Sequence, residues 1–144
     1  MCIRDRTTAI SMGEHYGAEM DYCFNRKEIK DHAESGLMVG KKLNPNDRVV
    51  LIDDVVTAGL SIEESIAILK SQGNPDIVGV IIAVDRMEKS NDGDNVIQKI
   101  KDKNGLSIKP IVSIEEVLKT VEEMHLLSKG EWEKIYAYRY RYGV

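Results

Sequence analysis

The sequence has little cysteine and no long apolar run. Cys2 and Cys23 are its only cysteines, and neither lies in a Cys-x-x-Cys pair or near histidines at zinc-binding spacing. This argues against a zinc site and a disulfide framework, and it fits a reducing cytosol. No apolar stretch approaches the roughly 18 residues of a membrane helix, and the opening MCIRDR lacks the apolar core of a secretory signal. We therefore expect a cytoplasmic protein without membrane contact.

The net charge is also low, but the charged residues are unevenly distributed along the chain. The 20 basic and 24 acidic residues give a net charge of −4, so there is no general reason to expect nucleic-acid binding. Residues 26–42 are the exception, with five basic side chains against three acidic ones. A basic segment on an acidic protein indicates a local anion site.

Three apolar, β-branched segments alternate with amphipathic ones. The run RVVLIDD at 48–54 is typical of a strand that is covered on both faces of a parallel sheet. Further strands are expected at 76–85 and at 108–114, where Pro110 favours an edge position. The other expected elements are helices that begin near residues 7, 61, 94, 113 and 129, a strand at 20–25 and a long loop at 26–40. This alternation predicts an α/β fold with a parallel sheet.

Two adjacent carboxylates, Asp53 and Asp54, end the first of these apolar runs. Ligands of open parallel sheets bind at the carboxyl ends of strands. A capping box, SIEE, is expected to start the next helix with Ser61 as N-cap and Glu64 at the third helical position. The plain alternative is that the two aspartates only end a strand and cap a turn.

The turn between the aspartates and that helix has the features of a phosphate-binding turn, which we call the phosphate cradle. It offers hydroxyl groups, small residues that permit a tight turn, and the positive end of a helix. Its residues are Thr57, Ala58, Gly59, Leu60 and Ser61. Carboxylates beside such a cradle would repel a bare phosphate. A sugar phosphate resolves this conflict, because its hydroxyl groups can donate to the carboxylates while its phosphate enters the cradle.

This order of residues resembles the phosphoribosyl-pyrophosphate motif of type I phosphoribosyltransferases. The resemblance implies a Rossmann-like parallel sheet flanked by helices, with residues 57–61 at the phosphate and Asp53 and Asp54 as catalytic carboxylates. Leu60 departs from the small or hydroxylated residue that is frequent there. The family's N-terminal hood and first strands have no counterpart, so we expect residues 1–6 to be a non-native start and residues 7–144 to be the C-terminal part of a phosphoribosyltransferase domain.

The segment YCFNRKEIKDHAESG at 22–36 resembles the catalytic loop of orotate phosphoribosyltransferases. The resemblance implies that Arg26 and Lys27 bind the pyrophosphate and that Lys30 and His32 act on it in catalysis. It also implies a homodimer in which the loop at 26–40 reaches the neighbouring active site. The alternative is an ordinary solvated loop.

The segment AVDRMEK at 83–89 matches a further landmark of that family. The resemblance places Arg86 at the anionic base orotate, with Thr57 as a second contact. Arg86 could instead merely pair with Asp85 or Glu88. The tyrosines between 136 and 142 are assigned no function.

Taken together, the resemblance implies phosphoribosyl transfer to orotate, with Mg²⁺ bound through the sugar donor and no direct protein ligand named for it. Two alternatives remain open. One is a regulator that binds phosphoribosyl pyrophosphate without catalysis, and the other is a transferase for a different base.

Overall fold

The computed structural model describes residues 3–25, 38–57, 59–90 and 92–144. Arg26, Lys27, Lys30, His32 and Ala58 lie outside the described residues. The helices are α1 (Ile3–Tyr16), α2 (Leu60–Ser71), α3 (Val96–Asn104), α4 (Ile114–Glu123) and α5 (Lys129–Tyr142). The strands are β1 (Cys23–Asn25), β2 (Met38–Gly40), β3 (Arg48–Val55), β4 (Asp76–Asp85) and β5 (Ile108–Ser113). Across these four ranges, no helix has the length and apolar character needed to cross a membrane.

Three strands form a parallel sheet in the order β3–β4–β5. Between β4 and β5, Val80 lies opposite Ile108 and Ile82 lies opposite Pro110. Pro110 therefore stands on a strand that ends the described sheet order, as its missing N–H group favours. The predicted α/β fold is confirmed, and the expected strands at 48–54, 76–85 and 108–114 are found within a residue of their predicted bounds.

Burial of the first of these strands was overestimated. The apolar run predicts cover on both faces, but no residue of β3 is fully buried and Val50 is 41% exposed. The reason is its place in the sheet, because β3 stands at the other end of the described strand order from β5. A β-branched run alone does not distinguish a central strand from such an end position.

A second, two-stranded sheet pairs β1 with β2 in antiparallel fashion. Phe24 lies opposite Val39, and Asn25 lies opposite Met38. The residues that flank positions 26–37 are therefore paired with each other. The predicted loop at 26–40 is wrong over its last three residues, which the structure places in β2.

The chain divides into two compact units, and the first comprises Met1–Ile52 and Glu63–Val78. Its buried apolar side chains include Ile66 and Leu69 of α2. Helix α2 ends at Ser71, and Gly73 follows it with a positive φ of 147°. The backbone N–H of Asp76 donates to the Asp47 carbonyl at 2.9 Å, which holds the start of β4 within this unit.

The second unit comprises Asp53–Ile62 and Gly79–Val144. Its buried core is aliphatic and consists of Val56, Ile62, Val80, Ile82, Val96, Ile97, Ile100 and Ile108. Helix α3 begins at the N-cap Asn95. Helix α4 begins near the expected residue 113 with a capping box, in which Ser113 accepts from the Glu116 N–H and Glu116 accepts from the Ser113 N–H. All described residues of the candidate site lie in this unit.

Candidate functional site

The acidic pair at the end of β3 is ordered by short hydrogen bonds. The Asp53 carboxylate accepts from the backbone N–H of Asp54 at 2.9 Å and from the Ser61 hydroxyl at 3.1 Å. The Asp54 carboxylate accepts from the Val55 N–H at 2.8 Å, and its side chain is exposed. Successive side chains of a strand point to opposite faces. Asp53 is thus the member of the pair that the structure brings to the start of α2.

Gly59 fixes the turn between the acidic pair and the helix. It is buried, and its φ is +76°, a region in which residues with a Cβ are strained. A Cβ at this position would lie 2.7 Å from Cδ1 and 3.1 Å from Cγ1 of Ile100 on α3. The absence of a side chain therefore allows both the backbone turn and its close approach to the core.

The helix begins one residue earlier than the sequence pattern predicts. Leu60 is the first residue of α2 and Ser61 the second, so the prediction of Ser61 as N-cap of a capping box is wrong. The left-handed turn at Gly59 already starts the helix, and the Ser61 hydroxyl donates to Asp53. Leu60 is 68% exposed at the helix start and Thr57 is exposed in the turn. The described residues of the expected cradle thus lie between the end of β3 at Val55 and the first turn of α2.

Arg86 follows the end of β4 and belongs to a closed triangle of hydrogen bonds. Its Nη2 donates to the Tyr138 hydroxyl at 2.8 Å and forms an ion pair with Glu88 Oε1 at 2.7 Å. The Tyr138 hydroxyl in turn donates to the same Glu88 oxygen at 2.7 Å. This hydrogen bond to Glu88 raises the pKa of Tyr138 above its ordinary value, so the phenol remains a donor. The alternative that Arg86 pairs with Glu88 is confirmed as a contact.

The turn that carries Arg86 is clamped by the end of the chain. Arg139 Nη1 donates to the carbonyls of Arg86 and Met87, each at 3.0 Å. The N–H of Lys89 donates to the Tyr142 carbonyl at 2.8 Å. Met87 itself has a positive φ of 49°, a strained value for a residue with a side chain. The contacts from α5 stabilise this conformation.

Tyr138 and Arg139 were missed by sequence reasoning. Both lie on α5, about 50 positions away from the turn that they contact. The tyrosines of this helix recur at every second residue, a spacing that places them around the helix without favouring any one of them. The charged segment after β4 indicates that Arg86 and Glu88 are candidates for a site. Nothing in that segment identifies their partner on α5.

The acidic pair and Arg86 lie at the ends of neighbouring strands. β3 ends at Val55 and β4 ends at Asp85, and the two strands are adjacent in the parallel sheet. Parallel strands present their carboxyl ends at the same edge, where open α/β sheets bind their ligands. The arrangement therefore combines backbone donors, hydroxyls and carboxylates at one strand end with a guanidinium at the next. Such a set suits a ligand that carries hydroxyl groups and more than one anionic group.

Comparison with known proteins adds independent information. The sequence profile of the phosphoribosyl transferase domain matches residues 7–115. The orotate phosphoribosyltransferase of Lachnoclostridium phytofermentans is 42% identical over 111 residues, which are 77% of this chain and 49% of that protein. The orotate phosphoribosyltransferase of Clostridium acetobutylicum is 38% identical over 143 residues, which cover 96% of this chain and 64% of that protein. The chain thus spans between about half and two thirds of the length of these relatives.

A solved structure agrees with the sequence comparison. The crystal structure of an orotate phosphoribosyltransferase from Francisella tularensis matches this chain with a TM-score of 0.76 and 32% sequence identity. The match covers 96% of this chain and 64% of the other. The similarity in fold therefore extends over nearly the whole chain.

Proposed function

This chain belongs to the phosphoribosyltransferase family, and we propose that the intact protein joins orotate to phosphoribosyl pyrophosphate. The products are orotidine monophosphate and pyrophosphate, in the synthesis of pyrimidine nucleotides. The relatives that bear the name orotate phosphoribosyltransferase at 38–42% identity support this assignment of substrate. The observation that carries it within the chain is the turn from Asp53 to Ser61, built around the left-handed, buried Gly59.

We assign the 5′-phosphate of the sugar donor to residues 57–61. The start of α2 offers backbone N–H groups and a positive dipole end, which favour a phosphate. Asp53 lies beside the start of α2, and both carboxylates of the pair are proposed to accept from the ribose hydroxyl groups. Positive charge develops at the anomeric carbon when pyrophosphate departs, as in other glycosyl transfers. The same carboxylates stabilise this charge because they are already ordered by hydrogen bonds.

Arg86 is proposed to bind the carboxylate of orotate. A guanidinium presents parallel N–H donors that match the two oxygens of a carboxylate. Only Nη2 of Arg86 is engaged by Glu88 and Tyr138 within the described part of the chain. Donors on Nε and Nη1 remain for an incoming anion. Thr57 is proposed as the second contact to the base, from the turn after β3.

The basic segment is proposed to act on the leaving group. Arg26 and Lys27 bind the pyrophosphate, and Lys30 and His32 stabilise its departure. Sequence similarity supports these roles. Pairing of Asn25 with Met38 brings the two ends of the segment together. We further propose a homodimer in which the part of the predicted loop that precedes β2 reaches the neighbouring site. The free thiol of Cys23 supports a location in the reducing cytoplasm.

Magnesium is proposed to bind mainly through the sugar donor, where it supplies positive charge to the pyrophosphate. Among the described residues, the carboxylate pair at the end of β3 fits this arrangement. Mg²⁺ commonly keeps several waters and binds through substrate oxygens with one or two carboxylates. Asp53 and Asp54 are the carboxylates that meet its water shell, and we assign no direct protein ligand.

A transfer assay tests the proposal. Residues 7–144 are joined behind the N-terminal part of the Clostridium acetobutylicum relative that the chain does not cover, and pyrophosphate release is measured with orotate, uracil, adenine and hypoxanthine. We expect release with orotate alone, and little activity from residues 1–144 by themselves. Turnover of another base would identify a different transferase. Binding of phosphoribosyl pyrophosphate without any turnover would identify a regulator. Urea unfolding of the joined protein establishes that it is folded.

A further inference from the structure

We infer that Tyr138 of α5 is a positioning residue for Arg86, so that recognition of the base depends on the C-terminal helix. The inference rests on the proposed function, because it takes Arg86 as the group that binds the carboxylate of the base. The observation behind it is the triangle in which the Tyr138 hydroxyl accepts from Arg86 at 2.8 Å and donates to Glu88 at 2.7 Å.

Tyr138 orders both charged side chains through a single oxygen. An unrestrained arginine loses much rotamer freedom when it binds a ligand, and this loss weakens binding. Here Glu88 and Tyr138 both contact Nη2 and thereby select one guanidinium orientation before any ligand arrives. A Glu88 carboxylate alone is a weaker restraint, because a single ion pair at this partly exposed position tolerates several geometries.

The position of Tyr138 relative to Arg86 is itself fixed. Arg139, the next residue of α5, donates to the carbonyls of Arg86 and Met87. The ring of Tyr138 also contacts that of Tyr142 at a centroid distance of 4.7 Å. Main chain and side chain of this part of α5 therefore hold the hydroxyl at the guanidinium. Phenylalanine at position 138 would keep the ring contact and lose only the hydroxyl.

The experiment uses ¹⁵N-arginine-labelled chain and follows the Nε–H signal of Arg86, assigned by its loss in Arg86→Lys. Orotate and uracil are the probes, since uracil lacks the carboxylate. We expect orotate to shift the signal and uracil to leave it unchanged. Tyr138→Phe should weaken orotate binding about fivefold, because the guanidinium must then be ordered on binding. The matched control is Tyr140→Phe on the same helix, where the side chain is 91% exposed, and it should bind orotate as the parent does.

The ligand-free proteins distinguish the two claims. Exchange of the Arg86 Nε–H proton with water should be faster in Tyr138→Phe than in the parent and in Tyr140→Phe. If orotate shifts no Arg86 signal in the parent, the proposed function is wrong at this residue, and the exchange rates still decide whether Tyr138 orders Arg86. Equal exchange and equal orotate affinity in all three proteins would overturn the inference. Should Tyr138→Phe not fold, Glu88→Gln removes the carboxylate that accepts from both partners and should also speed exchange.

Discussion

Substitution of Gly59 by alanine should destabilise the chain and disrupt the turn at the candidate phosphate site. Two costs add in the structure. A φ of +76° disfavours a residue with a Cβ by about 1–2 kcal/mol. The new methyl group would also lie 2.7 Å from Ile100 Cδ1, and overpacking of a core costs about 1–3 kcal/mol. We therefore expect the free energy of unfolding to fall by about 2–5 kcal/mol, measured from urea transitions at constant slope.

Gly105 provides the matched control, because its φ is +66° but an added Cβ would meet nothing within 4 Å. Gly105→Ala should therefore carry only the backbone cost of about 1–2 kcal/mol. The difference between the two variants measures the contact with Ile100. In a double variant, Ile100→Val removes Cδ1 and should recover at least about 0.5 kcal/mol of the Gly59→Ala loss relative to additivity. Equal destabilisation by Gly59→Ala and Gly105→Ala, with no coupling to position 100, would refute this account of the turn.

Three further predictions concern other parts of the site and the fold. Asp53→Asn in the joined protein should raise the KM for phosphoribosyl pyrophosphate about tenfold or more while the urea midpoint changes little; equal losses in both would mean that Asp53 only ends the strand. Lys30→Ala and His32→Ala should lower turnover and leave calorimetric binding of orotidine monophosphate nearly intact; a collapse of product affinity with normal turnover would contradict their assignment. Hydrogen bonds from Ser113 hold the pKa of Glu116 below its ordinary value of 4.5, so its stabilising effect is present above pH 4.5 and disappears as the pH falls through the lower folded value. The urea midpoints of the parent and Glu116→Gln should therefore differ at pH 7 and converge near pH 2, and a difference that persists in acid would exclude this origin.

The two SIEE segments show what the sequence can and cannot predict. At 113–116 the pattern forms a capping box, in which the Ser113 hydroxyl accepts from the Glu116 N–H and donates to the Glu116 carboxylate. At 61–64 the same four residues follow Gly59, whose backbone is left-handed. Here the Ser61 hydroxyl donates to Asp53 instead. The local pattern is identical, so only the tertiary neighbour decides the outcome. The β-branched runs depend on nearby residues, and the three strands of the parallel sheet were predicted within a residue of their bounds.

The remaining parts of the site depend on contacts between distant positions. The sequence directs attention to Arg86 and Glu88, which are neighbours, and it also brings Asp53 and Ser61 into one motif. The hydroxyl of Tyr138 reaches Arg86 across 52 positions, and no periodicity encodes such a pairing. The position of β3 at the end of the described sheet order is likewise a property of the topology. Both features follow from the assembled fold and leave no local trace in the chain.

The clamp between α5 and the Arg86 turn has a consequence for the order of events during biosynthesis. In the turn from Asp53 to Ser61, the hydrogen bond between Ser61 and Asp53 joins residues eight positions apart, whereas the turn at Arg86 is held by residues 138–144. A nascent chain therefore contains both partners of the first hydrogen bond well before it contains the residues that hold Arg86. A premature stop codon between positions 105 and 137 would leave the contacts of the first turn encoded and remove those that hold Arg86. Shortened gene products of this kind would keep the residues for the sugar phosphate while losing the restraint on the base.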